Sequence, residues 1–201
     1  MIFHDKRLIF IHIQKTGGNA ISSALGKNPD CPEKHFFASD LRELYGAEAW
    51  ERYFKFTFVR NPWDRLVSWW SMINGARQHL TGRRLNKFQT FVLEHAATFE
   101  EFLLNCDQEI VDGDGRKWIY RNQIDYVTDV SGRLMVDFVG RFESLRDDFD
   151  FVTGKNPGIT VLLPHENRSE HLPYREYYTS ALANMVGQRY CRDIDAFGYS
   201  F

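Results

Sequence analysis

With 201 residues, 43% of them hydrophobic and 15% aromatic, the chain carries enough apolar material for one domain, 1–201, with a sizeable core and leaves little for a second. A formal net charge of −2 excludes a global electrostatic case for nucleic acid as partner, so any anion site must be local. Cys31, Cys106 and Cys191 are odd in number and form no C-x-x-C pair, which argues against a disulfide framework and a zinc site and fits a reducing compartment. No apolar run approaches the roughly 20 residues that cross a bilayer, so no membrane insertion is expected, and the first strand follows Met1 too closely to leave room for a signal peptide.

Apolar stretches alternate with helical periodicities, without repeats or low-complexity linkers, which predicts an α/β fold. Leu8–Ile13 reads as a strand buried on both faces, and Ile21, Ala24 and Leu25 give the next helix its apolar stripe. Between them stands Lys15-Thr16-Gly17-Gly18. Backbone N–H groups at a helix start lack intrahelical acceptors, and glycines let a phosphate approach them, so this turn with Lys15 makes an anion cradle. Phe54–Val59 is a second strand, and the helix after it is marked by Asn61 as N-cap, Pro62 in the first position and Asp64 in the first turn. On that helix Trp63, Leu66, Val67, Trp70 and Ile73 share one face, with Ser68 opposite beside Asn61 and Asp64, so Ser68 is expected outside the core. Arg60, at the carboxyl end of its strand where open α/β sheets bind ligands, is expected to meet the Ser68 hydroxyl on a second phosphate.

Farther along, Phe99–Leu104 reads as a short helix, Val136–Phe142 as a third strand, Leu145–Val152 as its helix and Thr160–Leu163 as a fourth strand. Leu182, Val186, Tyr190 and Ile194 form a stripe that suits a last helix closing over the sheet. Three features take bland readings. His12 is a hydrogen-bonded core residue inside the first strand, and Asp112-Gly-Asp-Gly is a turn that lacks the ligand spacing of a calcium loop. Arg77, Arg83, Arg84 and Lys87 read as a solvated loop in preference to a surface for an acidic sugar chain, and the sequon Asn167-Arg168-Ser169 carries no weight. No metal ligands are assigned.

The pair HIQKTGG, His12 to Gly18, and FVRNPWDRLVSWW, Phe58 to Trp70, resembles the two signature loops of carbohydrate sulfotransferases that use 3'-phosphoadenosine 5'-phosphosulfate, PAPS. KHFFASDLRELYG at Lys34 to Gly46, VDFVGRFESLRDDF at Val136 to Phe149 and the ending from Asn167 to Tyr199 are similar to further blocks of the heparan and chondroitin type, in the family's order. The resemblance implies a P-loop-like three-layer α/β fold, a central mainly parallel sheet flanked by helices, and sulfuryl transfer from PAPS by in-line displacement to a hydroxyl of a saccharide or glycoconjugate. Adenosine 3',5'-bisphosphate would be the other product, and no metal would be required. It implies that Lys15, Thr16, Gly17, Gly18, Asn19 and Ala20 bind the 5'-phosphosulfate and that Arg60 and Ser68 bind the 3'-phosphate. Lys15 would meet charge growing on the leaving oxygen, and Arg168 would help to close over the nucleotide. His35, matching the histidine of the family's K-H-x-x-A block, would be the base, since an imidazole of ordinary pKa about 6.5 is mostly neutral near pH 7. Some relatives use a glutamate, which makes Glu33 and Glu143 the fallbacks, although Glu143 is more simply a helix-start charge.

The chain departs from the family in Asn19-Ala20, where many members carry hydroxyl residues; Asn19 can substitute through its amide and Ala20 cannot. Eukaryotic relatives usually carry a membrane anchor and work in the Golgi, so the expected setting is a bacterial cytoplasm, with a luminal fragment of a Golgi-type enzyme as the alternative. A P-loop-like phosphate-transferring enzyme is disfavoured by the missing G-x-x-x-x-G-K-[ST], and a non-catalytic nucleotide-binding protein by the presence of Lys15.

Overall fold

A computed structural model describes residues 1–28, 30–78, 85–112, 115–155, 161, 163 and 172–201. In chain order the elements are β1 (Ile2–Phe3), β2 (Leu8–Ile11), α1 (Gly18–Ala24), α2 (Ala38–Arg52), β3 (Phe54–Val59), α3 (Pro62–Gln78), α4 (Lys87–His95), α5 (Phe99–Asn105), β4 (Ile110–Asp112), β5 (Gly115–Lys117), β6 (Phe138–Arg141), α6 (Leu145–Gly154), α7 (Ser180–Arg189) and α8 (Cys191–Phe197). Two compact units emerge: Met1–Arg60 with Gln123–Asn167, and Asn61–Asn122 with Arg168–Phe201.

The first unit holds the central sheet, in the order β1-β2-β3-β6. β2, β3 and β6 are parallel, with Phe10 opposite Phe56 and Phe58 opposite Gly140, and only the edge strand β1 runs antiparallel. This is a mixed α/β architecture with a mostly parallel sheet flanked by helices. Leu8, Phe10, Phe56 and Phe58 pack with Ile21 and Leu25 of α1 and its end and with Phe149 and Val152 of α6. The alternating residues Ile9, Ile11, Thr57 and Val59 are buried as well, which is why β2 and the second half of β3 read as continuous apolar runs. β2 closes at Ile11, two residues short of the expected end, because the chain turns at His12 into the loop that leads to α1. β6 is likewise shorter than Val136–Phe142.

The second unit is built on α3. Asn61 caps it as expected, its Oδ1 accepting from the backbone N–H of Trp63 at 3.1 Å and of Asp64 at 3.4 Å. Trp63, Leu66, Val67, Trp70 and Ile73 enter a core with Phe88 and Val92 of α4 and Phe99 and Phe102 of α5. Ser68 departs from its expected place: it is 2% exposed, and Arg65 and Trp69 are buried beside it. α3 is covered around most of its circumference, so its polar side is not a solvent face. The C-terminal stripe also differs. α7 ends at Tyr190, whose N–H bonds the Val186 carbonyl at 3.0 Å, and α8 starts on the Tyr190 carbonyl; the buried Tyr190 hydroxyl is tied to the Ile119 carbonyl. Leu182, Val186 and Tyr190 pack into the second unit's own core, built on α3.

Thr160 and Leu162 of the fourth expected strand lie outside the described residues, while Val161 and Leu163 pack against the first unit's core without strand structure. Gly113 and Asp114 lie outside as well, between β4 and β5, which pair antiparallel. The side chain of Arg77 and the residues Arg83, Arg84 and Asn167-Arg168-Ser169 are also outside the described set, so neither the basic loop nor the Arg168 assignment is addressed by the fold. Among the described residues, no helix is long and apolar enough to cross a membrane.

Candidate active site

The loop from His12 to Gly17 leaves the carboxyl end of β2 and enters α1 through Gly17, which sits in left-handed backbone at φ 82°. That conformation favours glycine, and the space is also tight: a Cβ there would stand 3.1 Å from Leu145 and 3.3 Å from the Phe142 ring. Gly18 is required on steric grounds alone, since an added Cβ would fall 2.0 Å from Cδ2 and 2.1 Å from Nε2 of His12. Gly18→Ala should therefore force the ring or α1 to move and cost about 1–3 kcal/mol, read as a lower thermal midpoint. An unchanged midpoint would mean that the ring yields freely. Thr16 is fully buried, and its hydroxyl donates to the Ile13 carbonyl at 2.9 Å, so it holds the loop with its side chain and leaves its backbone for a ligand. Gln14 is fixed from the other side, its Oε1 accepting from the Tyr126 hydroxyl at 2.6 Å.

Lys15 occupies left-handed backbone at φ 69°, and His35 does so at φ 68°. A non-glycine residue there costs on the order of 1–3 kcal/mol and persists only where its surroundings hold it. Both candidate reactive groups are thus held in conformations their residue types disfavour. Burial, reinforced by the positive charge of Arg60, lowers the Lys15 ammonium pKa to about 8. Arg60 lies at the end of β3, 6% exposed, with its guanidinium 4.0 Å over the Phe142 ring and Nη1 donating to the Lys15 carbonyl at 3.3 Å. Its backbone is clamped by Gln123, which accepts from the Arg60 N–H at 2.9 Å and donates to the Arg60 carbonyl at 2.8 Å. The cations of the two sequence motifs therefore meet at one loop.

His35 joins them from the segment between α1 and α2. Its Nδ1 is 3.0 Å from the His12 carbonyl. A carbonyl can only accept, so Nδ1 carries the proton, and in the neutral ring Nε2 is the basic nitrogen. Glu33 is a poorer base. Burial pushes its carboxyl up, but hydrogen bonds from the paired Lys27 and from its own backbone hold it down at about 2, and the Tyr45 hydroxyl donates to the same oxygen at 3.2 Å. Glu143 is exposed, in a short turn of helix before α6. Asn19 is exposed and Ala20 is buried at the start of α1. Ser68 belongs to the second unit, and its expected partnership with Arg60 rests on the sequence alone.

Sequence reasoning did not single out Phe142, Gln123 or Tyr126. Phe142 directly follows β6 at the carboxyl end of a parallel strand, the position that pointed to Arg60, and this signal applied to it equally. Gln123 and Tyr126 fall in a stretch with no periodicity or motif. Among the described residues, no three His, Cys, Asp or Glu side chains gather as a metal-binding group.

The family model described as the sulfotransferase family matches residues 1–200. The chain belongs to the sulfotransferase family. That membership carries sulfuryl transfer as the general chemistry and a hydroxyl-bearing molecule as the general acceptor, and in this sulfotransferase the matched segment includes the whole loop between β2 and α1, His35 and Arg60. Heparan or chondroitin specificity does not follow from the match. No curated protein and no solved structure matches the chain significantly.

Proposed function

We propose that this sulfotransferase transfers the sulfuryl group of PAPS to a hydroxyl of a saccharide or glycoconjugate, with Lys15 and His35 at the reacting centre. The observation that carries the reading is that Arg60 and His35 each hydrogen-bond a main-chain carbonyl of the loop that carries Lys15. Lys15 and Arg60 are cations suited to the anionic nucleotide, Gly17 and Gly18 open the backbone at the start of α1, and His35 presents a basic nitrogen of fixed tautomer. In the proposed step the acceptor oxygen bonds to sulfur as the bond from sulfur to the 5'-phosphate oxygen breaks. The hydroxyl proton passes to Nε2 of His35, and the charge left on the phosphate oxygen is met by the Lys15 ammonium, which binds the transition state more tightly than the ground state. Ser68 is assigned to the 3'-phosphate and Arg168 to the nucleotide by the sequence resemblance.

Incubating the protein with PAPS labelled in sulfur and a panel of hydroxyl compounds, saccharides included, tests the reaction and identifies the acceptor together. No transfer to any hydroxyl, with tight binding of magnesium-ATP and none of adenosine 3',5'-bisphosphate, would instead favour a phosphate-transferring enzyme. Nucleotide binding with no single turnover would favour a binding protein.

The lowered pKa of Lys15 gives the binding step a pH signature. Below about 8 the side chain is an ammonium and attracts the bisphosphate; as pH rises through that value the free protein loses the charge. Affinity for adenosine 3',5'-bisphosphate should therefore fall by about tenfold between pH 7 and 9, and Lys15→Arg, charged throughout, should flatten the profile. Calorimetry across the range decides it, and a flat profile in the parent protein would remove Lys15 from the anion site.

A further inference from the structure

The loop between β2 and α1 contains a buried imidazole that the scheme above does not use. His12 is 4% exposed, and its Nδ1 has no hydrogen-bond partner among the described residues. A nitrogen buried in that way loses its water without compensation, so packing alone would favour a carbocyclic ring at this position. The surroundings are specific. The ring lies nearly parallel to Phe10, with centroids 5.4 Å apart and planes 14° apart, and its Cδ2–Nε2 edge fills the space that a side chain on Gly18 would need. On another side it meets the His35 ring, 4.5 Å away and tilted by 59°, while the His12 carbonyl accepts a hydrogen bond from His35 Nδ1 at 3.0 Å. One residue thus touches the first turn of α1 with its ring edge and His35 with both its ring and its main chain.

We propose that His12 is a positioning residue for His35: its imidazole fixes the base against the donor-binding loop and stabilises it when it is protonated. This rests on the reading of His35 as the base. When the acceptor hydroxyl gives its proton to Nε2 of His35, Nδ1 keeps its proton, hydrogen-bonded to the His12 carbonyl, and the new imidazolium lies beside a neutral imidazole. The dipole of that polar ring gives the cation an interaction that a phenyl ring lacks. The titratable and charged groups acting on His12 are His35, Lys34 and the α-amino group of Met1; burial first, then the like charge of these three, holds its pKa well below the ordinary histidine value. Burial and like charge thus keep the proton off His12.

Nuclear magnetic resonance titration of protein carrying 15N-labelled histidine, together with kinetics and calorimetry of His12→Phe, tests the assignment. In the parent protein His35 should titrate from the tautomer protonated on Nδ1 while His12 stays neutral. In His12→Phe the His35 midpoint should fall by about half a pH unit or more. In the same variant kcat should drop by about tenfold, with affinity for adenosine 3',5'-bisphosphate within about twofold of the parent. Protonation of His12 ahead of His35 in the parent overturns the proposal whether or not any variant folds. So does a folded His12→Phe with unaltered His35 titration and kcat, or one whose kcat and nucleotide affinity fall in parallel, since that would be a packing role alone. If His12→Phe does not fold, His12→Asn, which lacks the ring, should show the same loss of kcat with nucleotide affinity kept. Normal turnover in His35→Gly would defeat the base assignment, yet the His35 midpoint in His12→Phe would still report on the contact between the rings, so the two failures are separable.

Discussion

Lys15→Ala is expected to lower kcat by about a hundredfold to a thousandfold, the usual loss when one preorganised donor to a developing oxyanion is removed. The ammonium is needed most when the phosphate oxygen gains charge, so the loss belongs to turnover. Affinity for adenosine 3',5'-bisphosphate should fall much less, because Arg60 stays in place, its backbone clamped by Gln123 and its guanidinium stacked on Phe142. Alanine keeps the disfavoured left-handed backbone at position 15, and Lys15→Gly, which relieves it, separates the two effects. Both variants should lose turnover, and the glycine variant should melt no lower than the alanine one. Steady-state kinetics beside calorimetry makes the comparison, and equal kcat in Lys15→Ala and the parent would end the proposed role.

His35→Gly should reduce kcat by about a hundredfold to ten-thousandfold, the span general-base groups contribute, and added imidazole should restore part of it. Glycine accepts the backbone at φ 68° and leaves a ring-sized space beside the His12 carbonyl, where free imidazole finds the acceptor that His35 Nδ1 uses. Glu33 does not take over. A carboxyl held near 2 by Lys27 has little drive to accept a proton at neutral pH. Turnover unaltered by the substitution moves the base elsewhere. Turnover lost but unmoved by imidazole, with PAPS affinity kept, makes His35 a structural support of the acceptor site.

The parts of this site legible in the sequence are those governed by local rules. The strand, the Lys-Thr-Gly-Gly turn and the cap at Asn61 are each set by residues a few positions apart, and each stands where the pattern puts it, β2 ending slightly early. What failed needed knowledge of distant neighbours. Helical spacing gave Ser68 a face of α3 but could not say that this face is covered, and the stripe from Leu182 to Ile194 has no proline, while its one glycine, Gly187, sits inside α7 and does not mark the break at Tyr190. His12 was legible as buried, but the hydrogen bond expected of its ring is missing at Nδ1 among the described residues. Gln123 and Phe142 reach Arg60 across large sequence separations, which no periodicity encodes. The positive φ of Lys15 has no signal in its residue type and that of His35 only a weak one, whereas that of Gly17 is the ordinary use of glycine.

The left-handed backbone at positions 15 and 35 has a practical consequence for protein engineering. Directed evolution scored on heat tolerance or expression yield would enrich glycine or asparagine at both positions, since those residues release the conformational penalty that lysine and histidine bear. Such a campaign would deliver a sturdier and inert catalyst. A library meant to harden this protein should keep those two codons fixed.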